Sequence, residues 1–418
     1  MASILTGTYP GYHGAHRAKT SKKHSPMNKL DEKKVTIAES LKQVGYNTAG
    51  IVSCTFLTKG FGLHQGFNYF DDRVPSYLFA LSTFGALRFL NYFFPLIDYL
   101  SSKGYYGYKV ATQINKSALS WLEKNGKITP FFLFLHYFDP HHPYLPEKLG
   151  TAKANVPDKI RKRYRRENAN YVKMEHGIIY PVFWSKKPLL RDEKKYLIHN
   201  YDREIALLDE KIGEIFEKLK EMDIYDHTLI IITADHGESF GEHNLMLHGV
   251  SLYQDNIHVP LIIKYPLHDK QKGVIDYPVS LSGIVPTILS YLSIEIPDYI
   301  QGSPFISRNK QKIIAQNFRD PSWNQRERTK RFDQDLISLI VGDYKYIKSV
   351  GGEDKLFNIE GDPGETNNLI GGKALIAENI KKILEGYIKD LGLFEIKGET
   401  AEMNQSVMQN LKALGYIQ

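Results

Sequence analysis

Apolar positions along this chain follow two alternating rhythms, short unbroken runs and steps of three to four residues. Phe131-Phe132-Leu133-Phe134-Leu135 and Leu229-Ile230-Ile231-Ile232 are unbroken runs, the pattern of strands buried on both faces of a parallel sheet. Ahead of the second run, Ile205, Leu208, Ile212, Ile215 and Leu219 step along one helix face. Thr36-Ile37-Ala38-Glu39 fits a capping box, Leu41 and Val44 continue its apolar face, and Gly45 supplies the stop. A strand over Thr48 to Ser53 follows, and Val110 to Leu122 reads as a helix ended near Gly126. Val259 to Lys264 adds another core strand, and Ile284 to Leu292 a helix with Pro286 in its first turn, where a missing N–H costs little. This alternation predicts an α/β fold, a mainly parallel sheet flanked by helices on both faces.

Beyond Gly302 the rhythm changes. Leu336 to Val341, Gly342-Asp343 and Tyr344 to Lys348 predict a hairpin, extended by Gly351-Gly352 and a short strand Lys355 to Ile359. With a helix over Leu375 to Leu391, these make a small C-terminal antiparallel α+β subdomain. The predicted boundaries are 1–309 for the α/β core and 310–418 for the subdomain. An insertion near 145–195 interrupts the core. It carries Lys159, Arg161, Lys162, Arg163, Arg165 and Arg166, a pattern that fits either a solvated surface excursion or a basic lid over an anionic substrate.

The most apolar window, Tyr77 to Leu100, is long enough to span a bilayer but contains Arg88 and Asp98, which are expensive there. It predicts a buried or interfacial helix, with peripheral membrane contact as the alternative. A net charge of +7 suits anionic ligands, yet 54 basic residues interspersed with 47 acidic ones do not form the basic stripe of a nucleic-acid binder. One cysteine, Cys54, excludes a disulfide scaffold and a CxxC zinc site, and its context suits a small buried thiol. The sequence opens without a basic, apolar leader, which predicts a cytoplasmic protein; oligomeric state is not encoded legibly.

Candidate chemistry gathers at strand ends, where open α/β sheets bind ligands. Thr233-Ala234-Asp235-His236-Gly237-Glu238 follows an apolar run directly; a carboxylate beside an imidazole makes a pair of divalent-cation ligands or, alternatively, a helix-capping turn. His136-Tyr137-Phe138-Asp139-Pro140-His141-His142-Pro143-Tyr144 follows the other run, and imidazoles there suit proton transfer or anion binding. His248 in His248-Gly249-Val250-Ser251 is placed to reach the same pocket, whereas His243 is assigned no role.

These segments, with others in the same order, resemble the sulfatase family of the alkaline phosphatase superfamily. Ala2-Ser3-Ile4-Leu5-Thr6-Gly7 is similar to the stretch after the family's Cys/Ser-x-Pro-x-Arg nucleophile motif. Thr36 to Ala49 is similar to its "TLAExLKxxGYxTA" segment and Gly66-Phe67-Asn68-Tyr69-Phe70-Asp71-Asp72 to "GFDxYDD". Leu356-Phe357-Asn358-Ile359 with Asp362-Pro363-Gly364-Glu365 and Asn368-Leu369 is similar to "LYDLxxDPxExxNL". The resemblance implies a hydrolase of sulfuric esters with a divalent ion, calcium in most members, and a formylglycine nucleophile.

Asp235 and His236 then match metal ligands, His141 a histidine contacting the ester, and His248 the position of an anion-binding lysine. The Asp-His form leaves phosphodiester or phosphonate monoester substrates as the alternative to sulfate. The family's first strand and nucleophile motif are expected upstream of residue 1, a truncation in this reading. A non-catalytic relative is the other alternative.

Overall fold

The computed structural model describes residues 1–16, 28–74, 108–128, 130–144, 156–169, 177–267, 273–307, 311, 313–318, 332 and 334–393, the side chains of 165–169 excepted. The apolar window 77–100 and the C-terminal residues after 393 lie outside this set. Among the described residues no helix is long and apolar enough to cross a membrane.

Three parallel strands form the first sheet: β1 (Asn47–Ile51), β2 (Tyr69–Asp71) and β3 (Phe131–Leu135), in the order β2-β1-β3. The capping box forms as its sequence dictates. Thr36 Oγ1 accepts from the Glu39 N–H at 3.2 Å, and the Glu39 carboxylate accepts from the Thr36 N–H at 2.8 Å. The helix it starts, Ile37–Gln43, stops at Gly45, whose φ of 90° suits glycine. On one side of this sheet Ile114, Ala118, Trp121 and Leu122 of the helix Ala111–Asn125 close over Ala49 and Ile51, joined by Ile215 and Leu219 of the helix Arg191–Glu221.

The second apolar run becomes β4 (Ile230–Thr233). A short hairpin, β5 (Ser239–Phe240) with β6 (Met246–Leu247), follows, and β7 (Leu261–Lys264) then pairs antiparallel with β4. Here the structure corrects the expectation of strands buried on both faces: β3 and β4 are half-buried. Each has a strand partner on one side only among the described residues, so its second edge lacks the cover that a central strand enjoys. Ile205 is likewise 43% exposed, because the buried stripe of its helix runs through Leu197, Asn200 and Glu204 and leaves it to one side.

The basic insertion is also more than a solvated excursion. It contains the helix Asp158–Ala169, whose Ile160 and Tyr164, one turn apart, plug a core cluster with Tyr144, Tyr180, Phe183, Tyr196 and Met246. Its Arg163 and the nearby Lys187 both pair with the fully buried Glu193, at 2.6 and 3.1 Å.

The C-terminal region forms a four-stranded antiparallel sheet, β8 (Ile313–Asn317), β9 (Asp335–Val341), β10 (Tyr344–Val350) and β11 (Lys355–Asn358), ordered β11-β10-β9-β8. The helix Ala374–Asp390 lays Ala377, Ile380 and Leu384 onto Ile337, Leu339, Tyr346 and Leu356. Only β8 was not anticipated.

The sheet is clamped to the core through Glu365. One carboxylate oxygen lies 2.6 Å from Lys345 Nζ, and the other accepts at 2.6 Å from the backbone N–H of Gln254, the first residue of the helix Gln254–Ile257. Both partners of the ion pair are fully buried, so removing one leaves the other's charge stranded, at a cost of about 3–5 kcal/mol. Glu365→Ala is therefore expected to lower stability by that amount in urea denaturation, and Lys345→Met combined with Glu365→Leu to recover most of it. A loss below about 1 kcal/mol in the single variant would show that the clamp is a surface-type contact.

Candidate active site

Asp235 and His236 follow β4 in a turn that only glycine completes. The Gly237 N–H donates to Asn256 O at 2.8 Å, and a Cβ on Gly237 would stand 2.2 Å from Asp255 O. The hydroxyl of Ser239 donates to Asp255 at 2.5 Å and accepts from the Asn256 amide at 2.7 Å, fastening the same junction. The turn is thus seated on the helix that Glu365 caps. Within it His236 Nδ1 donates to Gly237 O at 2.9 Å. That bond fixes the tautomer and leaves a lone pair on Nε2, which lies 3.7 Å from Asp235 Oδ1.

Two further loops bring the remaining predicted residues to this point. The His248 ring stacks on His236 with centroids 3.9 Å apart, and His141 meets His248 at 4.8 Å and His236 at 6.3 Å. His141 is oriented by stacking on Phe138 at 4.1 Å and by its Nδ1 donating to His142 O at 2.6 Å. All four sequence-predicted residues, Asp235, His236, His141 and His248, therefore converge on one site. His243 is elsewhere, stacked on Tyr253 at 3.6 Å, and His142 is buried among Tyr144, Tyr164 and Tyr180. Cys54 does not serve as a nucleophile here: burial pushes its thiol up to about 12, leaving it protonated at neutral pH.

Two residues of the site carried no role in the sequence reading, Glu238 and Tyr144. Glu238, with a side chain only 4% exposed, holds His248 Nδ1 at 2.9 Å through one oxygen and accepts from the Tyr144 hydroxyl at 2.7 Å through the other. Burial pushes this carboxyl up, but His248, His141 and Tyr144 outweigh it and hold it down to about 2. Reciprocally, burial disfavours a charged His248, and Glu238 overcomes it, raising the imidazole above its ordinary value. Burial and the neighbouring His248 pull His141 well below its ordinary value, so it is neutral. Burial raises the Asp235 carboxyl, and His236 foremost brings it below the usual carboxylate range.

The donors at the mouth fit a divalent ion. The side chains of Asp235 and His236 are 35% and 36% exposed, open to a ligand, and an ion with bonds of about 2.0–2.6 Å bridges donors at their separation. Among the described residues no group of three or more His, Cys, Asp or Glu side chains encloses a metal.

The sulfatase domain pattern matches residues 1–294, and the pattern of the N-sulphoglucosamine sulphohydrolase C-terminal region matches residues 241–391. The chain belongs to the sulfatase family. Among relatives of this chain is the multifunctional alkaline phosphatase superfamily protein PehA of Trinickia caryophylli, 30% identical over 293 residues that make up 64% of this chain and 56% of PehA. Another is the ulvan-active sulfatase of Formosa agariphila, 25% identical over 88% of this chain and 67% of that protein. The chain thus spans about half to two thirds of the length of these curated relatives. The fold is shared with BT4656, solved in complex with its substrate D-glucosamine-2-N,6-O-disulfate (17% identity, TM-score 0.62, covering 94% of this chain and 87% of that one). It is shared equally with the phosphonate monoester hydrolase of Agrobacterium radiobacter (19% identity, TM-score 0.63, covering 93% and 85%).

Because a Cβ at Gly237 would meet backbone rather than a pliable side chain, Gly237→Ala is expected to cost about 1–3 kcal/mol and to displace Asp235 and His236. Thermal denaturation alongside calcium titration would register both effects. An alanine variant with unchanged melting and unchanged ion affinity would mean that the turn yields without consequence.

Proposed function

We propose that this sulfatase hydrolyses sulfuric esters, binding the sulfate group in the hollow among His248, His141, Asp235 and His236. The Glu238–His248 contact supports this most directly. A buried carboxylate beneath an imidazole favours the imidazolium, and a cation there attracts an anionic ester as the lysine of other family members would. His141, neutral with its ring proton held on Nδ1 by His142 O, carries a lone pair on Nε2 and is suited to accept a proton during ester cleavage. Asp235 and His236 would hold a divalent ion, calcium in this reading, which supplies charge neutralisation for the ester oxygens. The family's nucleophile is a formylglycine, and no residue of this chain is assigned that role.

A second reading, hydrolysis of phosphodiesters or phosphonate monoesters, draws support from His236 at the second ligand position and from the likeness to PehA, a multifunctional protein of the alkaline phosphatase superfamily. The two readings share the anion hollow and differ in the preferred ester.

Binding tests the hollow independently of turnover. Calorimetry with 4-nitrophenyl sulfate is expected to show affinity that requires calcium and disappears with chelator. His248→Ala should weaken it at least tenfold, and Asp235→Asn should remove its calcium dependence. Tighter binding of bis(4-nitrophenyl) phosphate or a phenyl phosphonate ester would select the second reading. Indifference of every ester to calcium and to His248 would sink both.

A further inference from the structure

A serine–histidine contact at the ends of two strands has no part in the chemistry above. Ser53 Oγ lies 2.6 Å from His136 Nδ1. Ser53 stands two residues past β1, is fully buried, and accepts through its carbonyl from the Lys109 N–H at 2.7 Å. His136 is the first residue after β3, and its N–H donates to Ile51 O at 3.0 Å, beside the pairing of Ile51 with Leu135. Both residues are therefore fixed by backbone bonds at neighbouring strand ends. β4, which leads into Asp235, packs near β3 on two faces: Phe132 and Phe134 share one apolar cluster with Leu229 and Ile231, and Leu133 shares another with Ile230.

Ser53 engages Nδ1 of the half-buried His136, which leaves Nε2 for the site. Desolvation holds this imidazole down to about 4, and Asp235 is the strongest charge acting on it in the opposite direction. Reciprocally, desolvation raises the Asp235 carboxyl, and His236 foremost, with His136 among the others, brings it down. A neutral imidazole near a carboxylate is favoured with an N–H toward it and disfavoured with a lone pair toward it. The ring proton therefore belongs on Nε2, and the Ser53 hydroxyl donates to the lone pair of Nδ1. As a mere packing element the pair adds little, since two buried hydrogen-bonding partners can be exchanged for apolar groups of the same shape at small net cost. What it adds is an oriented N–H on the side of Asp235.

We propose that His136 is a positioning residue for Asp235, itself oriented by Ser53. When a divalent ion draws on one oxygen of the Asp235 carboxylate, the His136 Nε2–H answers the other, directly or through one water. The proposal rests on the reading of Asp235 as an ion ligand and extends it to two residues at the ends of β1 and β3. Hydrogen bonds of this kind to a ligating carboxylate fix its rotamer and so govern ion affinity.

Calcium titration by calorimetry and nitrogen-15 spectra of the histidine rings test it without turnover. His136→Leu, which keeps the bulk and loses the N–H, is expected to weaken calcium binding about tenfold or more. His136→Gln, whose amide N–H reaches the place of Nε2, should restore most of that affinity. Ser53→Ala should weaken it severalfold and shift the His136 ring proton partly to Nδ1. In wild type the spectra should show that proton on Nε2. Wild-type affinity in the leucine variant would overturn the proposal, as would a glutamine variant as weak as the leucine one or a wild-type ring protonated on Nδ1. In those cases the ion site at Asp235 and His236 stands. A wild type that binds no calcium overturns the ion reading and this proposal together.

Discussion

Glu238 lies nearly buried at the base of the hollow, and a carboxylate in that position must have both oxygens answered or it is expelled or neutralised. His248 answers one and Tyr144 the other. The three residues come from different places: the turn after β4, the loop after β6 and the loop after β3. The single requirement of pairing one buried charge therefore draws three loops to a common point, and it does so without contact from any substrate. His141 and His236 pack against His248 and inherit its position. The three imidazoles are thus held in one arrangement by contacts within the protein itself.

A second chain of contacts ties this hollow to the far end of the protein. Gly237 is seated on the helix Gln254–Ile257, that helix begins on the Glu365 carboxylate, and Glu365 is paired with Lys345 in β10. The Asp-Pro-Gly-Glu segment thus has a mechanical meaning. Asp362 shapes its turn by accepting from Thr366 and Asn367, and Glu365 carries the turn's position across to the core. Displacing the C-terminal sheet would move the residues that hold Gly237 in place. The sheet is for this reason coupled to the site, although it supplies none of the four residues of the hollow.

Much of this was legible in the sequence because the signals were local. Five consecutive apolar residues announce β3, Thr36 and Glu39 announce their helix, and histidines or carboxylates placed just after apolar runs announce the hollow. What escaped depended on partners remote in sequence. Glu238 stands close to two singled-out residues, Asp235 and His236, yet its role comes from burial against Tyr144, 94 positions away. The helix Asp158–Ala169 presents mostly charge, and only Ile160 and Tyr164 betray the face it buries. β8 is a five-residue strand whose Gln316 and Asn317 hide its period. The exposure of β3 and β4 is a property of their neighbours rather than of their own residues.

The position of His248 shows how such remote partners alter the chemistry that a side chain carries. A lysine at an anion site is charged almost regardless of surroundings, whereas a histidine is charged at neutral pH only if something makes it so. In this chain Glu238 pushes the imidazole in that direction, and Tyr144 holds the second oxygen of Glu238. A histidine in place of the lysine is therefore consistent with anion binding only together with the buried Glu238 and its tyrosine. The three are one functional unit, and judging any of them by its residue type alone misreads the site.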